Sequence, residues 1–150
     1  MTNNVDNYFK QAGSSTDNEL IVNGTFSSNK VVQTAIVTAT LAEINAGKTL
    51  IDGVAGKTIS IVGIEGKAVG TFAALTSVEV EDTNGTPVAI ISTAVANLDD
   101  DYIAAGQTGN TIGAGYLGAL TTGAGVAVTK TGSTGTGGTS ITYKIDYIIS

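Results

Sequence analysis

From Ser140 to Tyr147 the chain alternates without a break. Ile141, Tyr143, Ile145 and Tyr147 take one set of positions, and Ser140, Thr142, Lys144 and Asp146 take the other. Only an extended strand sends successive side chains to opposite faces, so this run predicts a strand with one buried and one wet side. Such a strand needs neighbours to cover its apolar face. Val126-Ala127-Val128-Thr129-Lys130 is a matching run just upstream, and the Gly-, Ser- and Thr-rich Thr131 to Gly138 between them predicts a flexible hairpin tip.

The same signals recur through the chain. Val31 to Thr38 is rich in β-branched residues, and Thr58-Ile59-Ser60-Ile61-Val62 reads as a buried strand. Ser77-Val78-Glu79-Val80-Glu81 alternates, which turns Val78 and Val80 inward and leaves Glu79, Glu81 and the adjoining Asp82 as a solvent face. Asn84-Gly85 then marks a hairpin, and Pro87 opens Val88-Ala89-Ile90-Ile91 where a missing N–H is tolerated. Strands at roughly 8–15-residue spacing, with no long helical pattern, predict an all-β sandwich or barrel.

One short helix is expected. Thr40-Leu41-Ala42-Glu43 fits a capping box, and Gly47 is placed to end the helix with a left-handed cap. Ala46-Gly47-Lys48-Thr49 recurs as Ala55-Gly56-Lys57-Thr58, which reads as similar entries into consecutive strands. Residues 31–150 therefore form one β domain. Residues 1–30 are Asn-, Ser- and Thr-rich and read as an extended N-terminal arm. Its large apolar groups are Tyr8, Phe9, Leu20, Ile21, Val22 and Phe26, the candidates for anchoring it to its own domain, to an adjacent subunit or to a larger partner.

Composition then bounds what such a domain can do. The 150 residues include no histidine, cysteine, tryptophan or arginine. The groups that most often move protons near neutral pH, attack as nucleophiles or clamp phosphates are thus missing, and a non-enzymatic role without a cofactor is expected. A net charge of −6 with singly spread lysines lacks the basic stripe that nucleic acid requires. No run approaches the ~18 apolar residues of a membrane span, and the opening Met1 to Asp6 lacks the pattern of a secretory signal. Neither nucleic acid nor a membrane is an expected partner. Twenty glycines and only 5% aromatic residues mean that Val, Ile, Ala and Leu must fill the core.

Motifs that suggest chemistry are incomplete. Both Gly-Lys-Thr triplets lack the earlier glycine of a phosphate-binding loop, since Ala42 and Ile51 stand at those positions. Gly113-Ala114-Gly115-Tyr116-Leu117-Gly118 matches a dinucleotide fingerprint in spacing only, without a following helix or a suitably placed acid. It reads as a loop where backbones or subunits approach closely. Asp99-Asp100-Asp101 offers hard-cation ligands without the spacing of a calcium loop, so a solvated acidic loop is the expectation and a metal there stays open. The sequon Asn23-Gly24-Thr25 is expected to go unused without a secretory signal.

Leu41-Ala42-Glu43-Ile44-Asn45-Ala46-Gly47-Lys48-Thr49, the Gly/Ala/Thr-rich middle, and the strands Val126 to Lys130 and Ile141 to Tyr147 together resemble tailed-bacteriophage capsid decoration (cement) and head-fibre proteins. The resemblance covers residues 31–150. It implies a jelly-roll-like β-sandwich that forms a homotrimer on the outer surface of a capsid, with the major capsid protein as partner. It also implies synthesis in the host cytoplasm, residence in the virion and no catalytic residues. Two other classes compete with it. One is a receptor- or carbohydrate-binding fibre head using Tyr102, Tyr116 and the Gly-rich loops. The other is an enzyme built on carboxylates such as Asp99.

Overall fold

The structure, a computed structural model, describes residues 31–150. Strand β1 (Gln33–Thr40) runs straight into helix α1 (Leu41–Ala46). The expected capping box forms: the Thr40 hydroxyl accepts the Glu43 N–H at 3.3 Å, and the Glu43 carboxylate accepts the Thr40 N–H at 2.8 Å. Gly47 has the positive φ foreseen, 83°, but its ψ of 117° is extended rather than left-handed helical. The chain therefore passes directly into β2 (Lys48–Ile51). Gly56, in the repeated motif, also has a positive φ, 70°, shortly before β3 (Ile59–Val69) begins. Both glycines thus lead toward strands, but differently: Gly47 ends the helix directly before β2, while Gly56 lies in a turn ahead of β3.

The remaining elements are β4 (Ala73–Asp82), β5 (Ala89–Ala94), a single 3-10 turn (Val95–Asn97), β6 (Tyr102–Ala104), β7 (Asn110–Ile112), β8 (Val126–Thr136) and β9 (Ser140–Ile149). They make a four-stranded sheet in the order β1-β9-β3-β6 and a five-stranded sheet in the order β2-β8-β4-β5-β7, with every pairing antiparallel. First and last strands are neighbours in one sheet, while β2 and β8 are neighbours in the other. With β7 set aside as an added edge strand, this is a jelly roll. Strand makes up 58% of the described residues and helix 8%, so the domain is all-β.

The core lies between the sheets. Ile59, Ile61, Ile64, Ile103, Ile141 and Ile145 point in from one side and Val78, Val80, Ile91, Val126 and Val128 from the other, all under 9% exposed. One tyrosine enters this aliphatic layer. Tyr143 is buried beside Gly66 on β3, where a Cβ would lie 3.2 Å from the ring. The missing side chain at Gly66 is what makes room for the ring.

Two expectations need correction. Residues 131–136 are not a flexible tip: β8 continues to Thr136, paired with β4 through two register shifts. Asn45 of α1 holds this extension, its side-chain amide donating to the Gly135 carbonyl at 3.1 Å and accepting the Gly135 N–H at 2.7 Å. Asp82 is not on a solvent face either. The two-residue period that buries Val78 and Val80 carries Asp82 inward too, to 1% exposure.

Candidate functional site

The Gly-rich segment 113–125 closes one side of the sandwich. Gly113 and Gly115 donate to the carbonyls of Ile90 and Ala89 in β5, at 3.0 and 2.8 Å. Leu117 and Leu120 donate to Ile61 and Ile59 in β3, at 3.1 and 2.8 Å. The segment thus takes up the edge of β3 that short β6 leaves unpaired, and Leu120 plugs the gap between the sheets. A Cβ at Gly113 would collide with the Ala89 carbonyl. This is the close backbone approach expected of the motif, with no helix after it to receive a dinucleotide.

Asp82 anchors the same side. Its Oδ1 accepts the N–H groups of Val88 at 2.9 Å and Asn84 at 3.3 Å, and its Oδ2 accepts the Thr121 hydroxyl at 2.8 Å and N–H at 3.2 Å. Burial pushes its pKa up, but these hydrogen bonds outweigh that and hold it below the usual carboxylate value. All of its partners lie within the chain, so the role is structural.

Asp99, Asp100 and Asp101 diverge. Asp99 accepts the Thr71 hydroxyl at 2.6 Å, Asp100 the Gly70 N–H at 2.6 Å, and Asp101 the Tyr102 N–H at 2.7 Å. Among the described residues no group of acids converges as a metal centre would require. Lys48 of the first Gly-Lys-Thr triplet is tied to Glu43 at 2.9 Å and to the Thr38 carbonyl at 2.7 Å. Through the Thr40 and Lys48 hydrogen bonds, Glu43 has its pKa lowered to about 2. Tyr8, Phe9, Leu20, Ile21, Val22 and Phe26 lie outside the described residues.

The two tyrosines singled out from the sequence are placed differently. Tyr102 stands on β6, 53% exposed, and Tyr116 is half-buried against the core beside Ile61. Between them the outer face of the four-stranded sheet holds an ion pair that sequence reading missed. The Lys144 Nζ lies 3.0 Å from Glu65 and 3.8 Å from Asp146. The Glu65 hydrogen bond, then the charge of Asp146, raise the pKa of Lys144. Alternation had put Lys144 and Asp146 on one face, but only the β3–β9 register brings Glu65 opposite Lys144.

The other notable surface is an edge. β1 is the outer strand of its sheet, and Val31 to Thr40 contains no charged residue and no proline. Val31, Val32 and Ile36 are 64%, 54% and 70% exposed. No family model matches this chain, and its comparison with curated proteins and with solved structures likewise gives no match.

Proposed function

We propose that the chain is a structural virion protein, a non-enzymatic decoration or head-fibre protein that binds the outer surface of a phage capsid as a homotrimer. The jelly roll serves viral capsid, lectin and cupin domains alike, so the fold by itself assigns no role. The observation that carries the reading is the uncharged, apolar edge from Val31 to Thr40. Folded proteins normally protect an edge strand with charge, proline or a covering segment. This edge lacks the first two along its whole length and directly continues the proposed anchoring arm. In a chain of net charge −6 it is a stretch on which a like chain or a capsid subunit meets no repulsion.

Attachment is assigned to residues 1–30, with Tyr8, Phe9, Leu20, Ile21, Val22 and Phe26 as anchors. Ordering an extended arm costs roughly 1–2 kcal/mol per residue, and burial of these side chains is the available offset. The test is copurification with capsids of the full chain and of a chain lacking residues 1–30. The truncated chain should stay folded and oligomeric yet fail to decorate particles. Decoration at unchanged affinity would move the attachment surface to the β domain, and failure of the full chain to bind capsids would remove the virion reading.

A further inference from the structure

On the outer face of the four-stranded sheet, the β3–β9 register sets Gly63 beside Asp146, Glu65 beside Lys144, and Lys67 beside Thr142. β6 then adds Ala104 next to Glu65 and Tyr102 next to Lys67. Side chains are absent or small at Gly63, Ala104 and Ala105, and a hollow of about 250 Å³ opens there against Tyr116 and Asp146. A second hollow of about 160 Å³ lies against Tyr102, Lys67 and Thr142. Glu65 and Lys144 line both, so the two hollows flank this ion pair and mark a shallow groove, bordered by Tyr116 on one side and by the exposed Tyr102 on the other.

The chemistry of this groove is specific. Its charged groups are Glu65, Asp146, Lys67 and Lys144, which cancel in a chain that is otherwise acidic. A balanced lining provides no net attraction for a polyanion or a free cation. Hydrogen-bonding capacity nevertheless remains. Glu65 gives Oε1 to Lys144 at 3.0 Å, which leaves its second oxygen as an acceptor. The Oδ1 of Asp146 takes the Thr34 hydroxyl at 2.5 Å, while its Oδ2 is 3.8 Å from Lys144, too far for a good hydrogen bond. The Lys144 ammonium carries three donors. Acceptors and donors at close range, beside the exposed ring of Tyr102, match a ligand dense in hydroxyl groups that also has an apolar ring face.

We propose that this groove binds a neutral saccharide, with a sugar ring lying along the exposed Tyr102, Tyr116 bordering the other end, and the hydroxyl groups on Glu65, Asp146 and Lys144. Each hollow is smaller than the roughly 300–1,000 Å³ of a drug-sized pocket. That suits one or two sugar rings on an open face. Tyr116 is held in advance by the core and by its N–H bond to the Gly113 carbonyl at 3.2 Å, so little ordering is needed at that end. This site is independent of the capsid-attachment reading, since it uses none of residues 1–30.

The test is an NMR titration of the full, isotope-labelled chain with neutral mono- and disaccharides, and in a second arm with purified bacterial surface polysaccharide. Binding should move the amides of residues 63–67, 102–105, 116 and 142–146. Response to the free sugars identifies a small ligand, and response to the polymer alone identifies a longer chain; either supports the groove. Tyr102→Ala and Glu65→Gln, both at exposed or half-buried surface positions, should each weaken binding about tenfold or more while leaving the rest of the spectrum unchanged. No response in either arm, a response centred elsewhere, or variants that bind like the parent would each overturn the proposal. Capsid copurification of the same variants should be unaffected, so this inference and the virion reading fail separately.

Discussion

The buried carboxylate of Asp82 binds Thr121 twice, through the hydroxyl at 2.8 Å and the backbone N–H at 3.2 Å. It thereby fastens the Gly-rich segment 113–125 to the end of β4, while its other oxygen organises the turn before β5 through Val88 and Asn84. Replacing it with alanine strands these donors in a part-buried site. Asp82→Ala should destabilise the domain by about 1.5–3 kcal/mol, read by chemical denaturation.

The same carboxylate sets a pH dependence. Its folded pKa is depressed, as is that of Glu43, which falls to about 2. A depressed folded value contributes stability that is present above the unfolded pKa and lost as pH falls through the folded one. The domain should therefore hold its stability at pH values above the ordinary carboxylate range and lose it as pH drops from about 4.5 toward 2, the window Glu43 defines. Thermal midpoints across that range check this, and Asp82→Asn should flatten the curve. A midpoint independent of pH would remove the role given to these two groups.

Asn45 acts as a substitute strand neighbour for Gly135, matching both the carbonyl and the N–H of its backbone. Asn45→Ala leaves both groups without that partner and should cost about 1–3 kcal/mol. Hydrogen exchange should locate the loss in residues 131–136, with the centre of β9 unaffected. Asn45→Asp keeps an acceptor for the Gly135 N–H but sets its second carboxylate oxygen against the Gly135 carbonyl, so it should not restore the parent's stability.

Gly113 tests how tightly the closing segment is held. An alanine there collides with the Ala89 carbonyl, a backbone atom that moves only with β5. Gly113→Ala should destabilise by about 1–3 kcal/mol, as overpacking does. Gly56→Ala is a useful contrast. A Cβ at Gly56 meets nothing, and only its φ of 70° opposes the substitution, at a cost of about 1 kcal/mol.

The uncharged β1 edge makes a prediction about assembly. Ile36→Lys places a charge at the middle of that edge, on a side chain already 70% exposed. It should leave the monomer fold and its circular dichroism unchanged while lowering the sedimentation mass of the full chain. Sedimentation identical to the parent would show that subunits meet elsewhere.

The alternation of Ile141 to Tyr147 and of Val78 and Val80, the Thr40–Glu43 capping box and the glycines at strand entry were legible in the sequence. Each depends on local geometry: a two-residue period, a hydrogen bond three residues apart, a positive φ. Asp82 shows where local reading stopped short. Its parity with Val80 pointed inward, but a carboxylate is buried only when donors await it, and Val88 and Thr121 are supplied by turns whose positions no local pattern records. Residues 131–136 looked like a loose tip because Gly135 has no side chain to signal packing; pairing with β4 and the amide of Asn45, 90 residues from Gly135, hold them as a strand. The groove between Tyr116 and Tyr102 is likewise a product of register. Lys144 and Asp146 announced one wet face, yet their union with Glu65, Ala104 and both tyrosines required β9 to lie between β1 and β3, and β6 to lie beyond β3. Short-range steric and hydrogen-bonding rules determine which segments are strands. Which strands become neighbours is decided by burying all their apolar faces at once, and surface chemistry across strands follows from that choice alone.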